Sequence, residues 1–405
     1  MYIGIWVHPK DLCLDVLERT FSNIVGFLGG NAISVFMNNM NFTKMNLLFT
    51  YDGKAIGYSS RAGGLFFEPN AKLYRATSIR PYRYRELLCF DLRHVVNRAY
   101  SYGLEVVAHV NCLNMGLEGN MHYMVDDRGE PVLYGGAWVC PLDPNVRRYL
   151  IGLTEDLATR EEVAEIEIGE YWHPISPLMR DRITCFCKYC RIEAKDRGIN
   201  LDSIISRMRK DDLSSKMRRF MNKVGEEPFE EAFTFRNYDK LKSLVRYGNI
   251  SEFINFRIQT TTELLDDMVT TAHDYGVRVS ALVPPPDIAR SLGVDYRAIS
   301  KMVNVVKPVL YHRMLRRDVK WFSKQCVKAR KLSNGMGYPA IMVLEGMNLR
   351  EIMLTARKAL DTWKEGIMIH SYSLASLEEL EIVKNAINEY EKRRSKSSFW
   401  SFFKF

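Results

Sequence analysis

Eight short and nearly uninterrupted apolar runs recur along the chain, and a helix-forming segment follows each of them. The runs cover residues 2–7, 32–37, 104–110, 163–168, 277–283, 304–310, 340–344 and 366–369. Short, almost continuous apolar runs are the mark of strands covered on both faces. The segments between them carry the other periodicity. In residues 11–28, Leu12, Val16, Leu17, Phe21, Ile24, Val25 and Leu28 fall on one helical face, and Gly29-Gly30 supplies the stop. Asp143-Pro144-Asn145 opens another helix. The remaining helices are expected near 87–102, 252–273, 296–302, 319–332, 349–363 and 377–392. Alternation of this kind selects a parallel sheet, and eight units select a closed (β/α)8 TIM barrel. No glycine-rich GxGxxG follows the first strand and no GxxxxGK[ST] occurs, so neither nucleotide loop is present.

A barrel of this class needs roughly 250 residues. The 405 residues therefore leave room for long loops after strands 2, 3 and 4. We expect one domain over 1–394, with a helical insertion at about 185–250 and an aromatic, basic tail at 395–405 that docks on protein. The loop at 41–85 is long enough to suggest a function, and its FTYDG and GGLFF segments suggest a hairpin. Net charge is +9, but 57 basic residues are mixed with 48 acidic ones, which argues against nucleic acid as the main partner. No apolar run approaches the roughly 20 residues of a membrane span. The N-terminus lacks the features of a signal peptide. Cysteines clustered at CxCxxC suit a metal in a reducing compartment, so a cytoplasmic location is expected. A homo-oligomer is left open.

Barrels of this class place their active sites at the carboxyl ends of the strands. Those ends carry His8, Asn38, His109, Asn111, Glu170, Tyr171, Trp172, His173, Tyr311, His312, Glu345, His370 and Tyr372. Glu170 after strand 4 and Glu345 after strand 7 form a carboxylate pair nearly across the barrel. Glycosidic cleavage needs such a pair: an acid protonates the leaving oxygen while a second carboxylate attacks or activates water. Glu170 is the expected acid/base and Glu345 the expected nucleophile of a retaining mechanism. Glu165 and Glu167 lie on the other pleat face, and Glu167 is held in reserve as acid/base should the strand bulge at Gly169. Trp172, Tyr171, Trp138 and Tyr372 are candidate sugar-stacking rings. His109, Asn111, Tyr311, His312 and His370 are candidate polar contacts to substrate. Two other functions stay open: a metal-dependent hydrolase with His8, His109, His312 or His370 as ligands, and a non-catalytic barrel that binds carbohydrate or nucleic acid.

Cys185, Cys187 and Cys190 bring three thiols together, and Cys140, in Trp138-Val139-Cys140-Pro141, lies on a loop that shares the barrel mouth. Four thiolates close a tetrahedral zinc site with no open position, which makes the expected zinc structural. Cys13, Cys89, Cys112 and Cys326 are read as packing residues.

At these residues the chain resembles clan A of the glycoside hydrolases, and most of all the family 42 β-galactosidases. That family carries a Cys-Pro before the strand-4 helix and a CxCxxC after strand 4, which together bind one zinc. Cys140-Pro141 and Cys185-x-Cys187-x-x-Cys190 match in order and near spacing. The family's Asn-Glu-Tyr acid/base motif corresponds to Gly169-Glu170-Tyr171, and its strand-7 glutamate to Glu345. Gly169 in place of Asn makes the resemblance that of a divergent relative. The resemblance implies a carbohydrate substrate.

Overall fold

A computed structural model of the chain describes residues 1–38, 49–51, 54–56, 64–115, 122–132, 138–174, 183–210, 250–313, 315 and 317–402. Eight parallel strands form one sheet: β1 (Tyr2–Val7), β2 (Ala32–Phe36), β3 (Glu105–Asn111), β4 (Glu165–Gly169), β5 (Arg278–Val283), β6 (Val305–Pro308), β7 (Ala340–Met342) and β8 (Gly366–His370). Their order is β6-β5-β4-β3-β2-β1-β8-β7. The ring closes where parallel bridges join Val306 to Gly337 and Val309 to Ala340. The Leu310 N–H donates to the Ala340 carbonyl across the same seam, at 3.0 Å. Gly337 is needed there: its φ is 134°, and a Cβ would lie 1.8 Å from the Val306 carbonyl oxygen.

The helices are α1 (Leu17–Asn23), α2 (Leu92–Ser101), α3 (Pro144–Ala158), α4 (Ser251–Asp274), α5 (Tyr296–Ile299), α6 (Val319–Leu332), α7 (Leu349–Thr362) and α8 (Leu377–Phe402). Asp91, Asp143, Asp295, Asp318 and Asn348 cap α2, α3, α5, α6 and α7 by accepting first-turn backbone N–H bonds. The main apolar core lies between the sheet and these helices. A second, smaller one fills the barrel itself, with Trp6, Leu282, Tyr338, Ala340 and Met368.

The differences from the sequence reading are local. The first helix is not continuous over 11–28. A 3-10 turn, Pro9–Leu12, is capped by His8, α1 follows at Leu17, and a π turn, Ile24–Leu28, ends at Gly29 in the left-handed region. Cys13 and Cys89 are not mere packing residues, because a disulfide joins them and ties this turn to the chain ahead of α2. Cys112 and Cys326 are buried free thiols. A hairpin forms at FTYDG in the loop after β2, with Phe49–Tyr51 antiparallel to Lys54–Ile56, whereas Gly64–Leu65 of GGLFF pairs in parallel with Tyr82–Arg83. In the insertion, Lys188–Asp196 and Leu201–Lys210 are helical, and residues 211–249 lie outside the described residues. The last helix runs past residue 392 into the segment read as a separate tail, whose side chains from 396 onward lie outside the described set. Among the described residues no helix is long and apolar enough to cross a membrane.

Candidate active site and cysteine cluster

The barrel interior is ionic below and aromatic above. Glu165 and Glu167 alternate along β4 and point inward, because groups from strands on the far side of the ring reach them. Lys307 of β6, fully buried, donates to Glu167 Oε2 at 2.6 Å and to Glu165 Oε1 at 3.2 Å. On Glu167 Oε1 converge Trp6 Nε1 from β1, Ser34 Oγ from β2 at 2.7 Å, and His109 Nδ1 from β3 at 2.7 Å. Burial alone would raise the Glu167 pKa. Lys307 and His109 outweigh burial and hold the carboxyl far below the usual range, so it is ionised. Lys307 is likewise kept charged against its burial, chiefly by Glu167. Both oxygens of Glu167 are engaged by donors in the floor of the barrel, so it stands there as an ionised acceptor rather than a proton donor. The Lys307 ammonium also lies 5.6 and 5.5 Å from the ring centroids of Tyr2 and Tyr338, which stack on each other at 4.3 Å.

Glu170 sits one layer higher and in the opposite electrostatic state. The strand ends at Gly169, where a Cβ would come within 2.8 Å of His109 Cε1. Gly169 thus lets His109 lie across the strand end. Glu170 then turns with φ 50°, in the left-handed region that non-glycine residues avoid. Its pKa is pushed up to about 7 by burial, against smaller downward pulls from a hydrogen bond with Asn114 and the proximity of His109. Oε2 is buried without a hydrogen-bond partner. A carboxylic acid that keeps its proton near neutrality, with one oxygen uncommitted, is what general acid catalysis requires.

Half-buried side chains line the mouth around it: His8, Phe36, Trp172, Tyr311 and His370. Tyr311 and His370 pack at 5.1 Å between ring centroids, and Trp6 meets His370 edge-on at 5.6 Å. Burial lowers His370 to about 4 and His8 to about 3, so both rings are neutral near pH 7. Tyr311 is pushed well up by burial and by the charges of Glu167 and Glu170, which keeps its hydroxyl protonated beside the acid. His109 spans Glu167 and Asn111, its Nε2 lying 3.1 Å from the Asn111 side chain. Asn111 is locked by reciprocal bonds with Asn38, its N–H donating to Oδ1 at 2.9 Å and its carbonyl accepting from Nδ2 at 2.7 Å. Buried polar atoms without partners gather here as well: Asn111 Nδ2, Trp138 Nε1 and His370 Nδ1. Trp138 bridges to the backbone of Asn114, the residue that bonds Glu170.

Other expected site residues lie elsewhere. Glu345 is exposed on the turn after β7, with its backbone N–H on the Leu374 carbonyl at 2.7 Å. His312 turns outward to Glu351 of α7 (Nε2 to Oε1, 2.9 Å) and packs on Phe322. Tyr372 is buried, and its hydroxyl accepts from Asn23 of α1 at 2.9 Å. Tyr171 is buried in the main core, its ring edge-on to Trp172. The residues the sequence reading missed are Lys307, Ser34 and Asn114. A lysine inside the apolar run at 304–310 is the signal that could have disclosed the ionic floor.

Below the loop that follows Glu170, Cys140, Cys185, Cys187 and Cys190 are buried with all four sulfurs within 4.8 Å of one another. Cys140 lies 3.6 Å from Cys190 and 3.4 Å from Cys187. A tetrahedron of sulfurs at about 2.3 Å from zinc has edges of roughly 3.8 Å, so this donor set fits one ion held on all sides. The Val125 N–H donates to Cys185 at 3.4 Å, the kind of bond that steadies a bound thiolate. Hydrogen bonds from the neighbouring thiols pull the Cys187 sulfur far below its usual pKa. Among the described residues no other group of metal-ligating side chains is drawn together. The strand-end histidines are dispersed: His312 is bonded to Glu351, and His8 Nδ1 accepts the Lys10 N–H at 3.2 Å.

The fold and this mouth define a (β/α)8 barrel with its polar end at the carboxyl termini of the strands. No family model and no curated protein matches the sequence. Among solved structures the chain is similar to the PgaB (BpsB) glycoside hydrolase domain from Bordetella bronchiseptica, at 11% identity and a TM-score of 0.57, over 91% of this chain and 93% of that one. It is also similar to the catalytic domain of β-amylase from Paenibacillus polymyxa, at 12% identity and a TM-score of 0.56, over 95% and 97%. At such identities the likeness is one of fold.

Proposed function

We propose that this chain is a glycoside hydrolase that uses Glu170 as its acid/base. The observation that carries the reading is the Glu170 carboxyl itself, raised to about 7 by burial, with one oxygen buried and unpartnered, at the end of a strand beside aromatic and neutral polar groups. Glu170 gives its proton to the glycosidic oxygen as the bond to the anomeric carbon breaks. In a retaining route a second carboxylate attacks that carbon to form a glycosyl ester, which water deprotonated by the now ionised Glu170 then cleaves. Glu345 is the carboxylate the sequence offers for this step, but it is exposed on the turn after β7 and has to swing into the mouth to reach the sugar. Tyr311 and His370 hold hydroxyl groups of the sugar and Trp172 supplies a face for it, while the buried His109, Asn111 and Trp138 support the acid from behind. The fold neighbours named above are a glycoside hydrolase domain and the catalytic domain of a β-amylase, and the order of the cysteines and of Glu170 matches the family 42 pattern; both support the reading. The four cysteines hold a structural zinc, which when bound stiffens the loop that leaves β4; the Cys13–Cys89 disulfide does not suit the reducing, cytoplasmic setting expected from the sequence.

The test is a screen of chromogenic glycosides and oligosaccharides with Glu170→Gln and Glu345→Gln as controls. Glu170→Gln is expected to cost about 10²–10⁴-fold in turnover. Turnover that survives this change would assign the proton to another acid, and carbohydrate binding by the parent chain without any turnover would favour the non-catalytic binder. If only Glu345→Gln is silent, Glu170 keeps its role and the second carboxylate is replaced by a substrate-assisted route.

A further inference from the structure

Arg257 is a buried cation for which the described residues provide no carboxylate. It lies on α4 and is 7% exposed. Nη1 donates to the Ser291 carbonyl at 2.8 Å, and Nε has no hydrogen-bond partner. No ion pair joins it to Asp or Glu among the described residues, whereas neighbouring arginines such as Arg197 and Arg290 have theirs. A buried guanidinium in this position calls for an anion.

The segment that carries the cysteine cluster packs against the same helix. Phe186, between the first two cysteines of the CxCxxC segment, stacks on Phe253 of α4 with centroids 4.9 Å apart and planes at 8°. Arg257, one turn after Phe253, lies 5.5 Å from the centroid of that ring. Cys185 and Cys190 are close enough to act on its charge. A divalent ion on four thiolates leaves a net double negative charge, and Arg257 is a buried cation close enough to feel it.

We propose that Arg257 is the built-in counter-cation of a metal–tetrathiolate centre at Cys140, Cys185, Cys187 and Cys190, and that its charge is what retains the ion there. This rests on the metal reading above. Arginine suits the place better than lysine, because its charge is delocalised, weakly hydrated and spread over several donors. The same residue ties the cluster to the mouth. Its Ser291 partner belongs to the turn whose Leu292 carbonyl accepts the His173 N–H at 2.9 Å, three residues beyond Glu170.

The experiment measures metal content and the rate of zinc release to a chromophoric chelator for the full chain and for Arg257→Met, Arg257→Lys and Phe253→Leu. The parent is expected to carry one zinc per chain. Arg257→Met is expected to release it roughly 10- to 100-fold faster, the usual effect of removing an outer-shell partner. Arg257→Lys is expected to restore most of the retention, and Phe253→Leu, which keeps the charge, to release at nearly the parent's rate. Release from Arg257→Met at the parent's rate overturns the counter-cation while leaving the metal centre in place. A parent chain without metal, and unable to take up added zinc, overturns the metal reading itself. Should Arg257→Met fail to fold, Arg257→Lys and Phe253→Leu decide: faster release from Phe253→Leu than from Arg257→Lys assigns the effect to packing and overturns the proposal.

Discussion

Glu170 and Glu167 are three positions apart and chemically opposite, and their surroundings make them so. Glu167 has a lysine, a histidine, a serine and an indole on its two oxygens. Glu170 has burial and one asparagine. The alkaline limb of kcat/KM should therefore titrate near pH 7, falling tenfold per pH unit above it, and a profile flat from pH 6 to 9 would remove Glu170 as the acid. The same shift governs stability. Between 4.5, the ordinary value, and about 7 the unfolded chain has lost this proton while the folded chain keeps it. Stability from this group is complete below that window and is lost as pH rises through it, by at most about 3 kcal/mol. Glu170→Gln should flatten that part of the curve in denaturant unfolding followed across pH. Gly169→Ala is expected to cost about 1–3 kcal/mol, because a Cβ there collides with His109. It should also lower activity by displacing that ring.

At the scale of elements, the barrel is pinned by contacts that cross its interior as well as by its ladder of backbone bonds. β1, β2, β3 and β6 all send a side chain to one carboxylate on β4. Lys307→Met should destabilise the fold by about 3–5 kcal/mol in urea, since it strands a buried negative charge. Combining it with Glu167→Gln should cost clearly less than the sum of the two single changes. Additive losses would mean that the two groups do not act as a pair. This floor was half legible in the sequence. The alternation of Glu165 and Glu167 is visible there, but Lys307, the partner of Glu167, lies 140 residues away, on a strand whose neighbours in the sheet are set by closure of the ring.

The whole molecule joins an ionic interior, a mouth with one raised carboxyl and a cysteine-bound loop beside it. If the cluster holds zinc, stripping it with a strong chelator should lower the thermal midpoint by several degrees, and zinc alone should restore it, because an ion bound only by the folded state stabilises that state. A midpoint indifferent to chelation in metal-loaded protein would leave the cysteines as packed thiols.

The alternation of strand and helix, the helix caps and the spacing of CxCxxC are local patterns, and they sufficed to define the barrel, its strand ends and the sulfur cluster. Histidines and tyrosines at strand ends carry no such local code. His109 and His370 face the mouth while His312 and Tyr372 leave it, although all four stand at or near strand termini. The charge of Glu167, the retained proton of Glu170 and the isolation of Arg257 were decided by the tertiary structure alone. Each depends on which distant group approaches and on how much water is excluded, and neither quantity is written in the spacing of residues along the chain.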